Sequence, residues 1–115
     1  DRKGKPPVCV LSAPSADELE QKLGIAYQHV TYEEFFAEMD RLTQNRSEQK
    51  NAKEITARVV GNAANVHMRE DYIHNDVNFY LTAKNLMTRY GCSAFCIRCF
   101  ELCGSKIAAD RRITP

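Results

Sequence analysis

Four cysteines fall between Gly91 and Gly104, in "GCSAFCIRCFELCG". Thiols at that density can hold an iron–sulfur cluster, bind zinc, pair as disulfides or pack as small apolar side chains. Cys92, Cys96 and Cys99 spell C-x3-C-x2-C, the spacing of a radical iron–sulfur motif. A chelating site needs its thiolates to converge on one point. The run "SAFCIRCF" is apolar, aromatic and β-branched and follows a helix closed by glycine, so it reads as a strand. On a strand Cys96 and Cys99 face opposite ways, and Cys92 and Cys96 lie roughly 13 Å apart at ~3.3 Å per residue. That geometry holds no cluster. Zinc needs four converging ligands. His67 and His74 are the histidines nearest in sequence, and paired C-x2-C knuckles are absent. The expectation is free thiols that pack a buried strand.

Arg98 and Glu101 sit at and just beyond the C-terminal end of that strand. Open α/β sheets bind their ligands at this end. A carboxylate there can ligate a divalent cation or move a proton. A surface ion pair is the plain alternative.

The elements that would position these residues follow from local patterning. "PVCVLSA" (7–13) is a valine-rich apolar run, a buried-strand pattern. Ser15 can cap "ADELEQKL" and Gly24 can close it. "IAYQHV" (25–30) alternates and reads as a second strand. Thr31 and Glu34 have capping-box spacing, and Phe35, Phe36, Met39 and Leu42 follow at helical intervals. After a polar break (44–49), Ala52, Ile55, Val59, Val60 and Ala63 predict a helix over about 47–64. Asp71 or Asn75 opens the strongest helix, with Ile73, Val77, Tyr80, Leu81, Met87 and Tyr90 on its stripe and Gly91 at its end. The predicted core is Phe35, Phe36, Met39, Val59, Ile73, Val77, Leu81, Phe95 and Ile97. The order strand, helix, strand, three helices, strand predicts an α/β fold, a three-layer parallel sheet of the Rossmann or flavodoxin type.

Composition bounds the class. The chain has 115 residues, enough for one small domain, with 43% hydrophobic and 27% charged residues. A net charge of +1 gives no global field for nucleic acid or anionic membrane. No apolar run approaches the ~20 residues of a membrane span, and the N-terminal residues lack a signal peptide's pattern. Five cysteines, an odd count with four crowded together, point to a reducing, cytoplasmic compartment. The last residues, Arg111 to Pro115, read as mid-loop, which suggests a fragment of a longer protein.

Four blocks, "LGIAYQHVTYEEFFAEM", "EQKNAKEITARVV", "YLTAKNLMTRYGCSAFCIRCFEL" and "ITP", together resemble the L-fucose isomerase-like family of sugar isomerases. The resemblance spans about residues 8–115. It implies a single α/β domain, most of the second N-terminal domain of a longer multidomain aldose–ketose isomerase. Such an enzyme moves a proton between adjacent carbons with the help of a divalent metal, often manganese. The acid of "RCFEL", Glu101, would match the family's late glutamate as metal ligand and catalytic group. Arg98 would contact substrate. The aspartate and histidine that complete the metal set would lie outside these residues, so this chain alone would hold no cofactor and be inactive. A small sugar is the implied substrate, and a homo-oligomer the implied assembly.

Other readings compete. A free-standing α/β module could bind a ligand or partner without catalysis. A receiver would carry paired acids after its first strand, where Ser12 to Ser15 stand instead. A nucleotide fold would show G-x-G-x-x-G after a strand, and none is present. A thiol redox protein would open a helix with C-x-x-C, whereas Cys96 and Cys99 fall inside the predicted strand.

Overall fold

The structure is a computed structural model in which residues 15–114 are described. It contains six helices and, among the described residues, no strand: α1 (Ala16–Leu23), α2 (Tyr32–Gln44), α3 (Arg46–Asn62), α4 (Glu70–Tyr90), α5 (Cys99–Gly104) and α6 (Ile107–Asp110). The three-layer parallel sheet expected from the sequence is therefore overturned. Residues 25–30 are an irregular connector, and "SAFCIRCF" is an irregular segment that ends in the first turn of α5. The first predicted strand (7–13) lies outside the described residues. A strand needs a neighbour to take its N–H and C=O groups. Among the described residues, neither of the other two runs has one.

Local signals set the helix ends. Ser15 accepts from the Glu18 amide at 3.1 Å while the Glu18 carboxylate accepts from the Ser15 amide at 2.9 Å, a complete capping box. Thr31 caps α2 by accepting from the Glu34 amide. Gly24 (φ 65°) and Gly91 (φ 65°) close α1 and α4 in the left-handed conformation that glycine adopts without steric cost. Asn45 alone separates α2 from α3. Its backbone N–H donates to Leu42, closing one helix, and its side-chain oxygen accepts from the Ser47 and Glu48 amides, opening the next.

Helices α2 and α3 follow one another along α4 and run antiparallel to it. Glu34 meets Tyr90, Glu38 meets Arg89, Gln49 meets Asn78, and Thr56 meets His74. The apolar core gathers Phe35, Phe36, Met39, Ala83, Leu86, Leu102, Ala108 and Ile113. Phe35 organises it. Its ring lies edge-on to Phe36 at 5.4 Å and tilted against Phe79 at 4.5 Å, separations that favour aromatic pairs. The α5–α6 segment closes this end, with Leu102, Ala108 and Ile113 turned inward. The Arg111 guanidinium lies 4.3 Å over the Phe36 ring and also pairs with Asp40 at 2.7 Å.

The predicted core is correct for Phe35, Phe36, Met39 and Val77, which are buried. Val59, Phe95 and Ile97 are exposed, and Ile73 and Leu81 are half-buried. The inner face of α4 is Val77, Asn78, Thr82, Ala83 and Leu86, part of it polar, so an apolar stripe alone places the face wrongly. Among the described residues, no helix is long and apolar enough to cross a membrane.

Candidate functional site

Glu101 lies in the first turn of α5, not at a strand end. Its Oε2 is 3.1 Å from Nη1 of Arg98, on the preceding turn, and its side chain is 43% exposed. The Arg98 carbonyl accepts from the Tyr32 hydroxyl at 2.8 Å, which ties α5 to the start of α2. Burial, and then the nearby Glu101 carboxylate, push the Tyr32 phenol above its usual range. The two predicted site residues are thus together, as an i,i+3 ion pair. No group of three or more His, Cys, Asp or Glu side chains among the described residues could hold a metal ion. One carboxylate engaged by arginine does not meet the six or so oxygen donors that a hard divalent cation takes, so the implied manganese does not fit here. Glu101→Gln should change stability by less than about 0.5 kcal/mol, as expected for an exposed pair. Chemical denaturation of both proteins measures it, and a loss above about 1.5 kcal/mol would show a structural role.

Two polar clusters escaped the sequence reading. The Glu38 carboxylate is buried between α2 and α4 and accepts from Arg41 Nη2 at 2.7 Å, Arg89 Nη2 at 2.7 Å and Asn85 Nδ2 at 3.4 Å. The hydrogen bonds from Arg41, then those from Arg89, outweigh burial and hold its pKa down at about 2. Arg41 also reaches Glu48 at 3.0 Å, so two acids and two arginines balance. Further along, the Gln49 amide donates to Asn78 at 2.9 Å and contacts His74 Nε2 at 3.1 Å, while His74 Nδ1 meets the Thr56 hydroxyl at 3.3 Å. Every buried side-chain polar atom among the described residues has a partner. These groups are fully engaged and glue α2 and α3 to α4.

Two concave surfaces stand out among the described residues. An open groove of about 470 Å³ lies where α3 ends and α4 begins, walled by Val59, Val60, Ala63, Val66, Met68 and Ile73, with Asn65 and His67 as its polar lining. Val59, Val66 and Met68 are among the large apolar side chains that face water. A smaller cavity of about 180 Å³ lies between α4 and α5, and both Cys99 and Cys103 line it.

No family model, curated protein or solved structure matches the chain.

The expectation of buried cysteines in a strand is corrected by these surroundings. The four described cysteines are free thiols; Cys96, Cys99 and Cys103 are exposed and Cys92 is half-buried. Cys99 and Cys103 share one face of α5 because they are four residues apart on a helix. The signal was present in the sequence as C-x3-C, but the strand assignment hid it.

Proposed function

We propose that the chain is a helical interaction module without catalysis, and that it self-associates by seating α1 of one copy in the groove between α3 and α4 of another. The observation that carries this reading is the pairing of two unsatisfied apolar surfaces. Helix α1 is capped at both ends yet, among the described residues, packs against no other helix. Leu19 and Leu23 form its apolar stripe, and Leu23, Ile25 and Tyr27 are exposed. The groove offers the complementary lining. Contiguous exposed apolar surface of this kind marks interaction sites.

Charge supports the match. Asp17, Glu18 and Glu20 against Lys22 leave α1 acidic, and Arg58 borders the groove-lining Val59 in sequence; Arg69, beside Met68, is already paired with Asp71 at 2.8 Å. The connector from Gly24 to Thr31 spans up to roughly 26 Å when extended, long enough to reach a neighbouring molecule. Reciprocal exchange gives a closed two-fold dimer. With one short helix per contact it falls in the weak class, below about 1,200 Å² buried. Free thiols and an odd cysteine count support a reducing compartment, the cytoplasm.

Sedimentation equilibrium tests the reading. Wild type should dimerise, and Leu23→Glu and Val59→Glu should each be monomeric with unchanged helicity, because both positions are exposed. An equimolar mixture of the two variants should recover part of the dimer, since one intact α1 meets one intact groove. A wild type that stays monomeric at about 1 mM chain, where an association of about 4 kcal/mol would show, or a dimer indifferent to either substitution, sinks it. The sugar-isomerase reading rests on its sequence resemblance alone; the parallel sheet that the resemblance implied is absent among the described residues.

A further inference from the structure

We propose that Cys99 and Cys103 form a two-thiolate site for a soft monovalent cation, copper(I). Both thiols line the same cavity, and they stand four residues apart on α5. At that helical spacing their Cβ atoms are about 5–6 Å apart. A disulfide needs roughly 3.5–4.5 Å, so the pair does not oxidise to a bridge without unwinding α5. A metal ion between the two sulfurs adds its own width and suits the longer separation.

The donor set selects the metal. Thiolates are soft ligands and favour copper(I) or zinc over hard cations. Zinc requires a closed set of four ligands in a structural site, and no third His, Cys, Asp or Glu joins this pair into a metal-holding group among the described residues. Asp76 lines the cavity too, but its carboxylate accepts from the Thr114 amide at 2.8 Å. Copper(I) has a filled d shell and is content with two sulfurs in a near-linear arrangement. Phe79, Ile97, Leu102 and Ile113 supply the apolar part of the wall beside Asp76 and Thr114, and the two thiols are exposed, so a copper(I) ion can reach them from solvent. Binding leaves the oxidation state unchanged: each sulfur loses its proton, two S–Cu bonds form, and two protons leave to solvent.

The test is an anaerobic titration of the full chain with copper(I), supplied as its acetonitrile complex against a chromogenic copper(I) chelator. Wild type should take one equivalent. Cys99→Ser and Cys103→Ser should each weaken binding by at least the roughly 100-fold that loss of an outer-sphere partner can cost. Cys92→Ser and Cys96→Ser should leave it unchanged. X-ray absorption of the wild-type complex should show two sulfur neighbours, a readout that needs no variant to fold. Failure of wild type to compete, equal losses at Cys92 or Cys96, or three or more sulfurs about the copper overturns the assignment. Because the measurement involves neither α1 nor the groove, it stands or falls independently of dimerisation.

Discussion

Leu86→Ala should lower the free energy of unfolding by roughly 3 kcal/mol, and Leu81→Ala by less than about 1 kcal/mol. Leu86 is 2% exposed and packs in the core formed with Phe35, Phe36 and Met39, so truncation both removes transfer energy and leaves a cavity. Leu81, five residues earlier, is half-buried on the flank of the same helix, and water can follow the shortened side chain. The contrast measures the rotation of α4 about its axis. Urea denaturation of the two variants reads it directly. Equal losses, or a larger one at Leu81, would mean that α4 presents the simple apolar stripe to its neighbours and not the mixed face described above.

The second large effect belongs to Glu38. Its native pKa of about 2 lies well below the ordinary carboxylate value, so folding favours the ionised form. The sign follows from linkage: the stabilisation is complete above about pH 5 and drains away as acid titrates the native carboxyl toward pH 2. Arg41 and Arg89 keep about half of their side chains in water, at 50% and 48% exposure. The contribution therefore lies below the 3–5 kcal/mol lost on breaking a fully buried pair, at about 2 kcal/mol. Glu38→Gln should lose that amount at pH 7, because the amide keeps the shape but offers a neutral acceptor. The two proteins should then converge between pH 5 and pH 2. Parallel stability curves through that interval would place the acid-sensitive group elsewhere.

What could be read from the sequence was local. Ser15 and Glu18, Thr31, Gly24 and Gly91 announced helix ends because each cap is made within a few residues. Phe35, Phe36 and Met39 showed their inner face because nothing polar interrupts it. The errors were non-local. Short apolar runs such as "IAYQHV" and "SAFCIRCF" fit a strand by pattern, but a strand exists only if a distant segment pairs with it. Asn78 and Thr82 were passed over as core because their burial depends on partners: Gln49 for Asn78, and the Asn78 carbonyl for Thr82. Glu38 carries no sign of burial in its own segment, because Arg89, which pairs with it, lies 51 residues away. The thiol pair required knowing that Cys99 opens a helix. A resemblance in the order and spacing of short blocks does not fix the backbone that carries them.

The junction at Asn45 has a mechanical consequence. A single extended residue between two helices is ordinarily a swivel. Here the Arg41–Glu48 ion pair and the hydrogen bond from Gln49 to the Leu42 carbonyl both bridge it, and α4 lies across both arms. Three restraints on one swivel make it a fixed elbow. The arm that ends at the groove and the arm that begins beside the thiols turn together, so a load taken by one is carried as torque to the other.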